Sequence, residues 1–391
     1  MDTIFIIGNG FDMAHNLPTG YTSFLKHAIQ SLSDGSKDVY PKIRRFINIS
    51  FTGKPTNKDQ MKKLFEGEIE KANSFSAIIK NRHSETIFDK GKSFSTAVNK
   101  VKINLSNSIL LKEIANNPAK VNWVDFEEIY FQELLKIVSH NDLHPAEKEE
   151  KVGLLNQELA AIKDDLEHYL LKVSIEFSYD FLSDELDKIQ RKEVENVGQF
   201  SYWLETLFRP KARFDHEISG GLIIDFNYTQ TFKRMVDSEF VSNKMTHMKI
   251  HGELGMENLI FGYGHREDDY YNQIVDSNIP GALDGIKLFS YVQNRIGNRS
   301  VQAFFDQQFE QRSHFRVVVF GHSCGISDSN LLEKVLRHKS CQEIHICYHR
   351  PEAWLQVAAS VRRRLESDED FARLIQPRSE AFLIPRWETK A

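Results

Sequence analysis

Three short apolar runs constrain this chain more than anything else in it. Ile4-Phe5-Ile6-Ile7 stops at Gly8-Asn9-Gly10, Leu222-Ile223-Ile224 stops at Asp225-Phe226-Asn227, and Val317-Val318-Val319-Phe320 stops at Gly321-His322-Ser323. None of the three alternates apolar with polar residues, as expected of parallel strands covered on both faces by helices. Each ends in glycine or polar residues, and that edge of an open α/β sheet is where ligands bind. Glycine there tolerates positive φ and lets a phosphate approach backbone N–H groups.

Strands are expected at Thr3–Ile7, Leu222–Phe226, Met248–Ile250, Leu259–Phe261, Arg316–Phe320 and Glu343–Tyr348, all near the two ends of the chain. From about residue 25 to residue 215 the sequence is polar and helical in period. The clearest helix is expected from about Lys151 to Phe177, with Leu155, Leu159, Ile162, Leu166, Tyr169 and Val173 in one apolar stripe. That stripe reads as a bundle helix facing its own core or as a seam for self-association. The Lys-, Asn- and Ser-rich stretch from Ser33 to Asn107 is expected to be partly mobile. The layout predicts a discontinuous α/β domain from residues 1–24 and 216–391. Residues 25–215 would be a helical insertion that caps the pocket, forms a homo-oligomer or senses a partner.

With 41% hydrophobic and 27% charged residues, the 391-residue chain belongs among ordinary globular proteins. No apolar run approaches the roughly 20 residues of a membrane span, and Met1-Asp2-Thr3 does not open a signal peptide. Cys324, Cys341 and Cys347 lack zinc-site spacing, and a reduced cytoplasm is the expected compartment. A net charge of −5 argues against a non-specific nucleic-acid binder. Arg362-Arg363-Arg364 reads as a solvated helix face.

Four segments carry chemistry. In the first, Gly8-Asn9-Gly10-Phe11-Asp12 is followed by His15, Thr19 and Tyr21, and Leu17-Pro18-Thr19-Gly20 is expected to delay the helix until about Tyr21. Asp12 either contacts a ribose hydroxyl or caps a turn. In the second, Asn227 just past a strand either orients a water or ribose hydroxyl through its amide, or ends the strand as an Asx-turn. The third is Lys249-Ile250-His251-Gly252, where His251 at a strand end is suited to proton transfer or is a satisfied core residue. The fourth, Gly321-His322-Ser323-Cys324-Gly325-Ile326-Ser327-Asp328, fits the letters of a G-x-S-x-G nucleophile elbow. An elbow needs its helix directly after the serine. Here more loop follows, with Ser327 or Asp328 as the expected N-cap, so a phosphate or ribose cradle is an equal use. A serine hydrolase would pair Ser323 with His338, His345 or His349.

Two further clusters stand out. Asn122-Trp123-Val124-Asp125-Phe126-Glu127-Glu128 opens a helix, with Asp125 and Glu128 fitting a capping box and Glu127 left without a structural task. Gly262-Tyr263-Gly264-His265-Arg266-Glu267-Asp268-Asp269 reads as an exposed glycine-hinged connection or as a metal loop.

The ordered motifs IIGNGFDMAHNLPTGYTSFL, NWVDFEE, FNYT, IHG, FGYG and FGHSCGISD together resemble the AbiH-type family of phage abortive-infection proteins. That family is more distantly similar to sirtuin-like domains. The resemblance implies a Rossmann-like, mostly parallel sheet that binds NAD, and an anti-phage effector that hydrolyses NAD or a related nucleotide. It implies Asn227 and His251 as catalytic residues. Gly8, Asn9, Gly10, Asp12, Gly321, Ser323 and Asp328 are the expected nucleotide contacts, with His15, Thr19, Glu127 and Tyr228 as further candidates. A phage-derived or operon-encoded trigger is the expected partner, and no metal is expected. Two positions depart from the sirtuin-like pattern: Asn9 replaces the usual alanine and Thr229 the usual aspartate. The four-cysteine zinc module of deacylases is absent, so peptide deacylation is not expected. A non-catalytic nucleotide sensor remains the alternative.

Overall fold

The apolar runs lie side by side. In the computed structural model they form a five-stranded, all-parallel sheet in an α/β, Rossmann-like fold. The structure describes residues 2–14, 17–33, 42–51, 101–105, 108–116, 122–183, 220–236, 245–264, 269–294 and 314–381, and the positions 301, 303, 305, 383 and 384. The described strands are β1 (Asp2–Ile7), β2 (Asn48–Phe51), β3 (Val101–Asn104), β4 (Gly221–Asp225), β5 (Met245–Lys249), β6 (Phe315–Phe320) and β7 (Cys341–Cys347). The sheet order is β5-β4-β1-β6-β7, and β2 and β3 form a separate antiparallel pair. The chain steps outward from β1 through β4 to β5, then returns to add β6 and β7 on the other side. The order therefore reverses between β1 and β6, the position where open α/β sheets bind ligands.

Both sheet faces are covered, which accounts for the lack of alternation. Ile4, Ile6, Leu222, Ile224, Val317, Val319, Ile344 and Ile346 line one face. Phe5, Ile7, Ile223, Val318, Phe320 and Cys347 line the other. The described helices are α1 (Asn9–Ala14), α2 (Tyr21–Ser33), α3 (Leu110–Asn116), α4 (Trp123–Ser139), α5 (Pro145–Ser183), α6 (Thr231–Val236), α7 (Asp269–Asp276), α8 (Lys287–Gln293), α9 (Ser329–Leu336), α10 (Pro351–Arg364) and α11 (Asp368–Leu374). Leu331, Leu332 and Val335 of α9 and Val361 of α10 close the first face. Phe11 of α1 and Phe232 of α6 close the second, with ring centroids 5.3 Å apart.

A third core gathers α2, α3, α4 and α5, and takes Phe261, Tyr263, Tyr271 and Ile286 from later in the chain. The stripe on α5 from Leu155 to Val173 is buried in it, so within this chain it serves the helices' own packing. Glu158 of α5 fixes the start of α3, accepting from the N–H groups of Ile109, Leu110 and Leu111 at 2.8, 3.0 and 2.9 Å. A carboxylate there meets the positive end of the helix dipole.

Several expectations need correction. The helix after the glycine turn is not delayed: α1 starts at Asn9, and Leu17–Gly20 only separates it from α2. Leu259–Phe261 is buried but is not a strand; Ile260 N–H bonds the carbonyl of His251, so burial comes without a ladder. The third-segment strand ends at Lys249, earlier than expected. Asn122 and Asp125 close the capping box of α4, in place of Asp125 and Glu128. Gly262, Tyr263 and Gly264 are buried rather than exposed, with Tyr263 stacked on Phe131 at 4.0 Å. His265–Asp268 and most of the Ser33–Asn107 stretch lie outside the described residues, although that stretch contributes β2 and β3.

The turn after β1 packs closely against the turn after β6, Gly10 meeting Gly321 backbone to backbone. A Cβ on Gly321, where φ is +69°, would stand 2.4 Å from the nitrogen of Phe11. Gly321→Ala should lower the unfolding free energy by about 2–4 kcal/mol, combining φ strain with overpacking. Gly153→Ala in α5, where a Cβ meets nothing within 4 Å, should raise it by up to about 1 kcal/mol. Chemical denaturation tests both, and an unchanged midpoint for Gly321→Ala would remove the close approach.

Candidate active site at the carboxyl edge of the sheet

Gly8 and Gly10 bring β1 and α1 onto the end of β6. The N–H of Gly8 bonds the carbonyl of Phe320 at 3.0 Å, and that of Gly10 bonds Gly321 at 2.8 Å. A Cβ on Gly8 would touch His322 at 2.6 Å. These two expected phosphate donors are thus engaged within the protein. Asn9 is held as well: its side-chain oxygen accepts from the Thr19 hydroxyl, and Trp123 Nε1 donates to the Thr19 carbonyl at 3.3 Å.

Two buried polar groups flank residues 226–229. On one side, both Asp12 oxygens accept from Thr229 Oγ1, at 2.9 and 2.8 Å, and Asn227 Nδ2 lies 3.5 Å from Asp12 Oδ1. Thr231 Oγ1 donates to Thr229 Oγ1 at 3.0 Å. Burial pushes Asp12 up to about 7, opposed by the Thr229 and Thr231 hydroxyls. Lys249 pins the loop by donating to the carbonyls of Asn227 and Thr229, and lies 3.1 Å from Asp225. The Asx-turn at this strand end is made by Asp225, whose Oδ1 accepts from Asn227 N–H at 2.9 Å. Asn227's own amide is therefore directed elsewhere, toward Asp12.

On the other side, Phe226 and Tyr228 pack against His251, with ring centroids 5.2 and 5.9 Å away. His251 Nε2 lies 3.0 Å from Asp328 Oδ1. Lys287 Nζ, at the start of α8, lies 2.8 Å from the same oxygen and 2.9 Å from Glu127 Oε1 of α4. Glu127 also accepts from Gly262 N–H at 3.2 Å. His322 Nδ1 accepts from Cys324 N–H at 3.0 Å, which leaves Nε2 to carry the proton, 3.5 Å from Asp328 Oδ2. All five side chains are at least nine-tenths buried.

The electrostatics follow from that burial. Burial alone would raise Asp328, but Lys287 and His251 hold it well below the usual carboxylate range. Glu127 is pushed up by burial against the pull of Lys287. Burial, then the charge of Lys287, lowers His251 to about 4 although Asp328 opposes them. The ring is thus neutral at pH 7 and faces an ionised acceptor. Nε2 must carry the proton, and Nδ1 holds the lone pair of a potential base.

The structure joins Asn227 with Asp12, and His251 with Asp328 and, through Lys287, with Glu127. Tyr228 donates its hydroxyl to the Ile260 carbonyl at 3.0 Å. Ser323 is exposed, and a 3₁₀ turn at Ile326–Asp328 follows before α9 starts, so the serine does not sit on a strand-to-helix elbow. His338 stacks on Phe305 and packs at a tilt against Phe315 at the opposite edge of the sheet, and His345 pairs with Glu343 within β7. His15 lies outside the described residues. Sequence reasoning missed Lys287 and His322. A lysine flanked by Ile286 and Leu288 at the first position of a helix was the available signal, because a cation is unfavourable there unless paired.

Asp12 provides a test by pH. Its folded pKa is raised above 3.8, so its stabilising contribution is full below that value and is lost as pH rises through about 7. Asp12→Asn removes this loss. The stability of the variant relative to wild type should shift in its favour by about 3 kcal/mol between pH 5 and pH 8. Parallel stability curves over that interval would show that Asp12 stays ionised throughout.

A family model described as bacteriophage abortive infection AbiH matches residues 4–349, from within β1 to just past β7. No curated protein and no solved structure matches the chain. The matched span holds both buried groups and every strand of the sheet except the first two residues of β1. On that coverage, this chain belongs to the bacteriophage abortive infection AbiH family.

Proposed function

We propose that this abortive-infection protein hydrolyses the nicotinamide–ribose bond of NAD, or the N-glycosidic bond of a related nucleotide, with His251 as base. The abortive-infection role rests on the family. The observation that carries the chemistry is a neutral histidine tied to an ionised carboxylate at the carboxyl end of a parallel strand. Water would give its proton to Nδ1 and its oxygen to the anomeric carbon, while the glycosidic electron pair leaves with nicotinamide. Asn227 turns its Nδ2 toward Asp12, so its carbonyl oxygen is the end left to accept from water or a ribose hydroxyl. Because Gly8 and Gly10 are engaged with β6, the exposed Ser323 hydroxyl is the better phosphate contact. The scheme uses no metal.

A base with a pKa near 4 is fully populated at neutral pH but weak. Its contribution therefore falls at the lower end of the usual 10²- to 10⁴-fold range. His251→Ala should lower nicotinamide release by about 10²-fold. The wild-type rate should be flat above about pH 5 and decline toward pH 4 as the ring gains a proton. In cells, NAD should fall during infection with wild type and hold steady in the Asn227→Ala/His251→Ala double variant. Constant NAD during clear wild-type phage protection would sink NAD as the substrate.

A nucleotide sensor is the second reading, favoured by the Glu127–Lys287–Asp328 link from α4 to the sheet edge. In that case Asn227→Ala would lose regulation only in proportion to lost binding, with no NAD turnover to abolish.

A further inference from the structure

We infer that Lys287 is a positioning residue for His251, fixing Asp328 against Nε2 and tying the pair to Glu127 of the helical layer. The geometry is a single buried chain of contacts. Glu127 Oε1 lies 2.9 Å from Lys287 Nζ, Nζ lies 2.8 Å from Asp328 Oδ1, and Oδ1 lies 3.0 Å from His251 Nε2. Lys287 is 1% exposed, so its ammonium has exchanged water for these two carboxylates. Such a buried cation is tolerated only when paired, and here its partners come from two different layers of the fold.

Its backbone is fixed too. Lys287 N–H bonds the Tyr263 carbonyl at 2.8 Å, and Tyr263 N–H bonds the Gly285 carbonyl at 2.9 Å. Gly264 allows the approach, since a Cβ there would stand 2.1 Å from the Ser327 carbonyl oxygen and 3.4 Å from the Lys287 side chain. The FGYG segment thus supports the backbone of Lys287 and packs against both Ser327 and the lysine side chain.

The groups around His251 are Asp328 before α9, Lys287 and Tyr291 on α8, His322 after β6 and Tyr228 after β4, with Glu127 of α4 behind Lys287 and Ser327 beside Glu127. Of these, Lys287 is the cation that opposes protonation of the ring, and Asp328 the anion that favours it. Lys287 thus does two things for the histidine. It holds the acceptor that selects the Nε2–H tautomer, and it keeps the ring from charging while that acceptor stays ionised. Without Lys287 the Asp328 charge is opposed mainly by burial, and His251 gains protons at higher pH.

This assignment bears on activity through the reading of His251 as base. Its test needs no substrate, so the two can fail separately. The measurement is the titration of the His251 ring by NMR in the full-length, isotope-labelled protein, assigned by loss of the signal in His251→Gln. In wild type the ring should stay neutral, with the proton on Nε2, down to about pH 5. In Lys287→Met the midpoint should rise by about one pH unit or more, and Lys287→Arg should restore it most of the way. Should Lys287→Met fail to fold, Lys287→Met/Glu127→Leu removes one buried charge of each sign and carries the same expected rise. A folded variant lacking Lys287 whose His251 midpoint and tautomer match wild type would overturn the assignment.

Discussion

The carboxylate of Asp328 is the contact on which the rest of the site hangs. Lys287 and His251 meet one of its oxygens and His322 faces the other, so segments following β5 and β6 and the start of α8 converge on one side chain. Asp328 also stands at the N-cap of α9, yet makes no side-chain cap bond, because its oxygens are turned to these partners. A cap bond is worth about 1 kcal/mol, whereas leaving a buried charge unpaired costs about 3–5 kcal/mol. The balance of those magnitudes explains the choice.

The segment after β4 works as a divider. Phe226 and Tyr228 turn their rings to His251, while Asn227 and Thr229 turn their polar groups to Asp12. The buried histidine and the buried aspartate lie on opposite sides of this short segment. Asp12 and His251 are displaced in opposite directions by the same physical cause, since burial disfavours the charged form of each. Two titratable groups driven toward neutrality beside one sheet edge are an arrangement commonly found where reactions occur.

Much of the fold was legible because the signal lay in adjacent residues. Runs such as Ile4–Ile7 and Val317–Phe320 lack alternation for a reason visible afterwards: successive residues enter different cores. The α5 stripe was readable in the same way. Leu259–Phe261 misled because buried apolar residues in a loop carry the same letters as a short strand. The β2–β3 pair alternates apolar with polar residues (Asn48-Ile49-Ser50-Phe51, Val101-Lys102-Ile103-Asn104), but over only four residues each within a polar stretch, and α1 is too short to show a period. In the site, Asn227, His251 and Glu127 were legible from their positions beside motifs. Lys287 was not, since its meaning comes from carboxylates that stand far away in the chain. The tautomers of His251 and His322 are likewise set by partners on other segments.

The position of β1 at the centre of the sheet has a consequence for how the molecule comes into being. Thr3 pairs with Gly221 and Asp2 with Phe315, so β1 is flanked by strands made much later. At about 5–20 residues per second, the ribosome needs roughly 15–60 s to supply the second neighbour. Until then a nascent, apolar β-strand has an open edge, the condition that favours chaperone capture and slow, non-local folding. The same delay keeps the glycine turn of β1 away from its β6 counterpart during synthesis. Whatever chemistry this edge performs, an unfinished chain is without it.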